Sequence, residues 1–271
     1  MKRFAMILLG CALIMGMSQC KKDNTTNNER VRITLTADGG QNSKTSFDGT
    51  NFTWTDKQPE YIYVGCSRYD YCIGELTATG DGTSRVKFSG DLSPVPTVGD
   101  DLYFFYLGNG EHDGVTSVSF ANQSGNLAEV TNHHIAIGHA TYDGTKNYSA
   151  KLDMAMAIAW FDTHEFKGSE ITLTGTEIYT AATIDYKHGI IEGTTAGGIK
   201  IGGPNENCYV ALLPQKYLGG QTLVFTDNTT PTHYVGRITF KDQIYAGKFY
   251  CSLAGGTGHA LEIAASQESG K

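Results

Sequence analysis

The side chains of this 271-residue chain that could do chemistry do not gather into a catalytic signature. It contains no H-E-x-x-H, G-x-S-x-G or C-x-x-C. Gly247 and Lys248 echo the end of a phosphate loop, but Asp242 stands where that loop needs its first glycine and Phe249 where it needs Ser or Thr. His133, His134 and His139 are the best candidates for a metal, with Glu111, His112 and Asp113 as a second group. Histidines outside a tight cluster are more often surface or hydrogen-bonded residues, so no metal site or cofactor is assigned. Asp100 and Asp101 are adjacent, so on a strand they face opposite ways and cannot flank a glycosidic bond as a catalytic pair. A solvated turn suits them better. Tyr61, Tyr63, Tyr69 and Tyr71, with Trp54 close in sequence, could form an aromatic surface for sugar stacking, and Tyr69 and Tyr71 are the candidate residues. Cross-strand pairing and core packing are the plainer use of such rings. The chain is therefore read as a non-enzyme.

The six cysteines divide into Cys11 and Cys20 near the start and Cys66, Cys72, Cys208 and Cys251 in the body. In an exported protein the last four could form two disulfides. Each also lies in or beside an apolar, strand-like run, where a buried free thiol is equally reasonable. Their spacings fit no zinc framework.

The start of the chain indicates export. Lys2 and Arg3 precede an apolar run from Phe4 to Met17, about fourteen residues, which is short for a permanent membrane span and typical of a removable signal. Met17, Ser18, Gln19 and Cys20 follow, and then the abruptly polar Lys21, Lys22, Asp23 and Asn24. An apolar residue three before a cysteine, a small one two before it and a polar sequence after it resemble a bacterial lipoprotein signal, with Cys20 as the lipidated residue. Gln19 replaces the usual Gly or Ala. Cutting at Cys11 instead would leave Ala12 to Met17 as an exposed apolar stub. The resemblance implies residues 1–19 as signal peptide and 20–30 as a polar tether with no apolar side chain to bury.

About 250 residues remain, enough for one large β domain or two ordinary ones. The formal charge of -7 carries no basic run, which argues against nucleic acid. Thirty-three Gly and fifteen Tyr, with many Thr and few Pro, suit a strand-rich protein. Val31, Ile33, Leu35 and Ala37 alternate with Arg32, Thr34 and Thr36, predicting a first strand with one apolar face. Similar runs at 52–54, 61–66, 85–88, 102–107, 170–173, 180–185, 190–191, 208–213, 222–225, 234–240, 248–253 and 260–264 predict roughly fifteen strands and no helix. Residues 152–161 alternate large and small side chains and read as one long strand. The polar stretch 141–146 before it predicts a division into sandwich units at 31–146 and 147–271. The tail 266–271 is polar and expected to fray.

Five motifs, in order, carry a further resemblance: Lys44, Thr45, Ser46, Phe47, Asp48 with Phe52, Thr53, Trp54; then Val98 to Tyr106; Gln123 to Ala128; Tyr209 to Pro214; and Ala246 to Tyr250. After a lipoprotein signal, this order resembles the fimbrillin-like lipoproteins of the Bacteroides group. A Gly-Asp common in that family after the tryptophan is replaced by Thr55, Asp56, Lys57, Gln58 and Pro59. The resemblance implies an all-β fold of two transthyretin-like sandwiches in tandem on a lipid-anchored protein of the outer membrane and cell surface. It implies a role as a fimbrial subunit in adhesion, with other subunits and host or bacterial surface ligands as partners. In polymerising members an arginine-specific protease cuts after the first strand, and another subunit's strand fills the vacated groove. Here the candidate cut sites, Arg30 and Arg32, lie before and inside that strand, and only Lys44 is basic between Ala37 and Phe47. This favours a tip, anchor or accessory subunit over a stalk subunit. A surface glycan-binding lipoprotein is the alternative.

Overall fold

The structure, a computed structural model, describes residues 29–38, 46–47, 52–108, 116–176, 178–203, 207–215, 222–229, 232–251 and 261–269. Over these residues the chain is all-β, with a single 3-10 turn at Val130–His133. More strands form than the alternation suggests, because several, such as Ser117–Ser119 and Asn122–Gln123, are too short for a period of two to register.

The largest sheet runs Asn147–Lys151, Val31–Asp38, Arg85–Leu92, Tyr69–Thr79, Pro59–Cys66, Asp101–Tyr106, Ala136–Thr141, Asp153–Met154. All neighbours are antiparallel except the first strand and Asn147–Lys151, which run parallel. The polar stretch 141–146 thus turns between strands of one sheet, and pairing in that sheet continues to Met154. A six-stranded sheet takes Ala265–Ser269, Thr232–Thr239, Thr222–Asp227, Glu170–Gly175, Ile199–Gly202 and Asn122–Gln123 in that order. Ala157–Asp162 lies between Asn207–Leu212 and the short strands Phe249–Tyr250 and Leu261–Glu262. Tyr179–Asp185 pairs with Ile190–Ala196 and with Ser117–Ser119.

Three apolar cores result. The first gathers Trp54, edge-on to Phe88 at 5.0 Å and to Tyr106 at 5.3 Å, with Ile33, Leu35 and Leu76. The second lies on the other face of the large sheet, where Tyr63 and Phe105 meet Ile184 and Tyr186. Gly65 is required there, since a Cβ would come within 2.2 Å of the Tyr186 carbonyl oxygen. The third packs Phe161 against Phe225, with rings 4.8 Å apart.

Residues 152–161 are not one strand. Asp153–Met154 ends the large sheet and Ala157–Asp162 begins another. In between, Ala155 donates its N–H to the Ile135 carbonyl and Met156 accepts from Gly247. Leu152 enters the first core, Met154, Met156 and Ile158 the second, and Ala157, Ala159 and Phe161 the third. The small face of the alternation lets the third core close on the backbone, and its large face fills the second. The tail also departs from expectation. Ala265–Ser269 is an ordered edge strand antiparallel to Thr232–Thr239, because an edge strand is held by its backbone and can keep polar side chains.

Candidate functional site: the first strand and the end it leaves from

The first strand, Val31–Asp38, lies between two others rather than at an edge. Its alternation places Ile33, Leu35 and Ala37 in the first core, at most 1% exposed, while Arg32 points to solvent. Leu35 sits opposite Phe88 on the antiparallel side and Tyr148 on the parallel side. The Thr34 N–H donates to the Lys146 carbonyl at 2.7 Å, its hydroxyl lies 3.0 Å from Ser89 Oγ, and Leu152 donates to the Asp38 carbonyl at 2.9 Å. Across the ladder from Ile33, Gly90 has no room for a Cβ, which would meet the Glu75 carbonyl oxygen at 2.0 Å. The strand thus occupies a slot with fixed register on both sides.

Of the candidate processing residues, Arg30 is exposed just before the strand. Arg32 is within it, its side chain 67% exposed and 3.6 Å from Asp91. Cys20, Lys44 and the group Glu111, His112 and Asp113 lie outside the described residues.

Tyr69 and Tyr71 come together, with ring centroids 5.6 Å apart and planes tilted by 41°. Tyr71 is 50% exposed, whereas Tyr69 packs partly on the first core. Tyr61 and Tyr63 go elsewhere, to the second core. Beside the tyrosine pair is an arrangement the sequence did not indicate. Arg68 grips Asp100 with two hydrogen bonds, 3.0 and 2.8 Å, and Thr97 N–H donates to the same carboxylate at 2.8 Å. The Arg68 guanidinium holds the Asp100 carboxyl below its usual range, against the upward push of burial. Thirty-two residues separate the pair, so no local motif could announce it. Asp101 is turned away toward His139, 3.0 Å from its Nε2.

The three histidines do not converge. His139 faces Asp101, His133 Nδ1 lies 3.2 Å from the Ser119 carbonyl, and His134 is fully buried beside the Tyr106 ring. Burial pulls His133 below its ordinary range. Among the described residues no group of three His, Cys, Asp or Glu is placed to hold a metal ion. Cys66, Cys72, Cys208 and Cys251 are free thiols. Burial pushes the Cys208 thiol up to about 12, which keeps it protonated and unreactive.

No family model matches the chain, and no curated protein matches it. Solved structures do. The fold is shared with a putative cell adhesion protein from Bacteroides uniformis. That structure superposes with a TM-score of 0.50 at 13% identity, covering 88% of this chain and 97% of its own. The tip fimbrial protein Mfa3 of Porphyromonas gingivalis gives 0.41 at 10% identity, covering 89% of this chain and 100% of its own. A fimbrilin of the same organism gives 0.39 at 13% identity, over 74% of each chain.

Proposed function

We propose that this chain is a lipid-anchored cell-surface subunit of a fimbria, acting in adhesion as a tip, anchor or accessory subunit, and that it is not an enzyme. The observation that carries the reading is the fold shared with the Bacteroides uniformis protein over nearly the whole of both chains. The lipoprotein-like segment ending at Cys20 and the ordered motifs of the sequence support it. The reading includes two transthyretin-like sandwich units in tandem.

Assembly would proceed by strand addition, in which backbone hydrogen bonds supply affinity and alternate side chains filling a groove supply register. The first strand has the form such a mechanism uses: an interior strand with three buried apolar side chains and two bonded flanks. A cut after Arg30 leaves this strand seated, and Arg32 lies within the ladder, opposite Asp91. Polymerisation by this chain alone therefore has no open groove to start from. Purified protein treated with an arginine-specific protease and concentrated should stay monomeric by light scattering. Ladders or filaments would restore the stalk role and reject this placement.

A glycan-binding surface lipoprotein is the second reading, favoured by the paired rings of Tyr69 and the exposed Tyr71. Sugar binding on an array that is lost in Tyr71→Ala would promote it over the first.

A further inference from the structure

The topology gathers one end of the large sheet around the place where the N-terminal tether joins the fold. Val31, the first residue of its strand, lies opposite Leu92, the last of Arg85–Leu92. At the same end, Ser67 and Arg68 turn the chain from Pro59–Cys66 into Tyr69–Thr79, residues 93–100 lead into Asp101–Tyr106, and residues 142–146 lead into Asn147–Lys151. These turns are tied together. Arg68 bridges to Asp100, Gly99 donates its N–H to the Tyr142 carbonyl at 2.8 Å, and Tyr142 donates back to the Asp100 carbonyl at 2.8 Å.

From this joined end project two of the four most exposed large apolar side chains among the described residues, Val98 at 67% and Tyr71 at 50% exposed. Neither fills a core. Gly99, with φ +97° and open space around it, forms the turn that holds Val98 outward. A Tyr near the start of a strand, as Tyr71 is in Tyr69–Thr79, and an aliphatic side chain on a neighbouring turn suit the boundary between phospholipid headgroups and acyl chains, where an amphipathic ring keeps its hydroxyl wet. Two ion pairs lie at this end, Arg32 with Asp91 and Arg68 with Asp100, beside the exposed Asp70, Asp143 and Lys146, so this end can sit among hydrated headgroups but not below them.

We infer that this end of the sheet, through Val98 and Tyr71, rests in the phospholipid headgroup layer of the membrane that holds the lipid anchor. The inference rests on the proposal that Cys20 is acylated. From Cys20 to Arg30 the chain can extend at most about 35 Å, so anchoring alone would let the fold stand off from the bilayer in many orientations. The exposed pair at the exit point selects one of them, with the Asp81–Ser84 turn at the far end of Tyr69–Thr79, about 35 Å away, facing outward.

The test uses the full acylated chain in phosphatidylethanolamine and phosphatidylglycerol vesicles whose acyl chains are brominated near the glycerol. Tryptophan is placed at Val98, Tyr71 or Ser84, and the fluorescence of each variant is compared with that of wild type, which carries Trp54 and Trp160. Val98→Trp and Tyr71→Trp should lose fluorescence to bromine and shift to the blue, while Ser84→Trp should do neither. If the variants float with the vesicles but quenching is absent or equal at all three positions, the inference is overturned and the anchor stands. If the chain takes up no labelled palmitate and does not float, the anchor proposal fails and the inference falls with it. Sugar binding lost in Tyr71→Ala, with no bromine quenching at Val98→Trp, would assign the same surface to a glycan and also overturn the inference.

Discussion

Asp227 shows how much one polar residue can hold. It is 5% exposed, and its carboxylate accepts backbone N–H groups from Lys167 and Gly168 at 3.1 Å, Thr229 at 3.1 Å and Tyr234 at 2.9 Å. Burial pushes its pKa up, but these donors outweigh burial and hold it below the ordinary carboxylate range. A depressed folded-state pKa contributes stability that is present above the unfolded value and lost as pH falls through the folded one. Asp227→Asn removes the charge and turns an amide toward N–H donors, so urea unfolding at neutral pH should show a loss of about 1.5 to 3 kcal/mol. The gap from wild type should narrow as pH drops below the carboxylate range. A gap independent of pH would show that the charge is not what these four donors recognise.

At the scale of elements, the first strand is an ordinary structural strand unless something replaces it. Leu35 is fully buried between Phe88 and Tyr148, so Leu35→Ala leaves a cavity that its neighbours, fixed in register, cannot readily close. A loss of about 2 to 5 kcal/mol is expected by chemical denaturation. Thr36→Ala, on the opposite face of the same strand, should cost far less. A short crossing element matters in the same way. Gln123, 7% exposed, gives its amide N–H to the Ala211 carbonyl at 2.9 Å and accepts the Ala211 N–H at 2.8 Å. This two-way clamp fixes Asn122–Gln123, from the first half of the chain, to Asn207–Leu212 in the second.

At the scale of the whole molecule, the second core takes side chains from both halves, from Tyr63 and Phe105 to Ile184 and Ala211. Burial of this kind couples whatever units the chain contains, so a cut in an exposed turn need not separate them. The proposed lipid anchor belongs to this scale too. Cys20→Ala should abolish incorporation of labelled palmitate and release the protein from the membrane fraction, whereas Cys11→Ala should leave both unchanged. Persistence of the label in the Cys20 variant would move the anchor elsewhere.

The residues by themselves determined the all-β class, the first strand with its Ile33, Leu35 and Ala37 face, and the absence of a catalytic signature in the sequence, because alternation and motif spacing are local properties. They also indicated that 152–161 was strand-like with one small face. Only the tertiary structure decided that this run divides after Met154 and feeds three cores, since the break depends on backbone partners at Ile135 and Gly247 that no window of sequence contains. It also decided that residues 265–269 pair at an edge, where polar side chains are tolerated and alternation gives no signal. Arg68 and Asp100, and the gathering of Tyr71 and Val98 at the end where Arg30 enters the fold, follow from sheet order alone. Sheet order is set by the summed burial of many distant strands, and so it becomes legible only once the chain is folded.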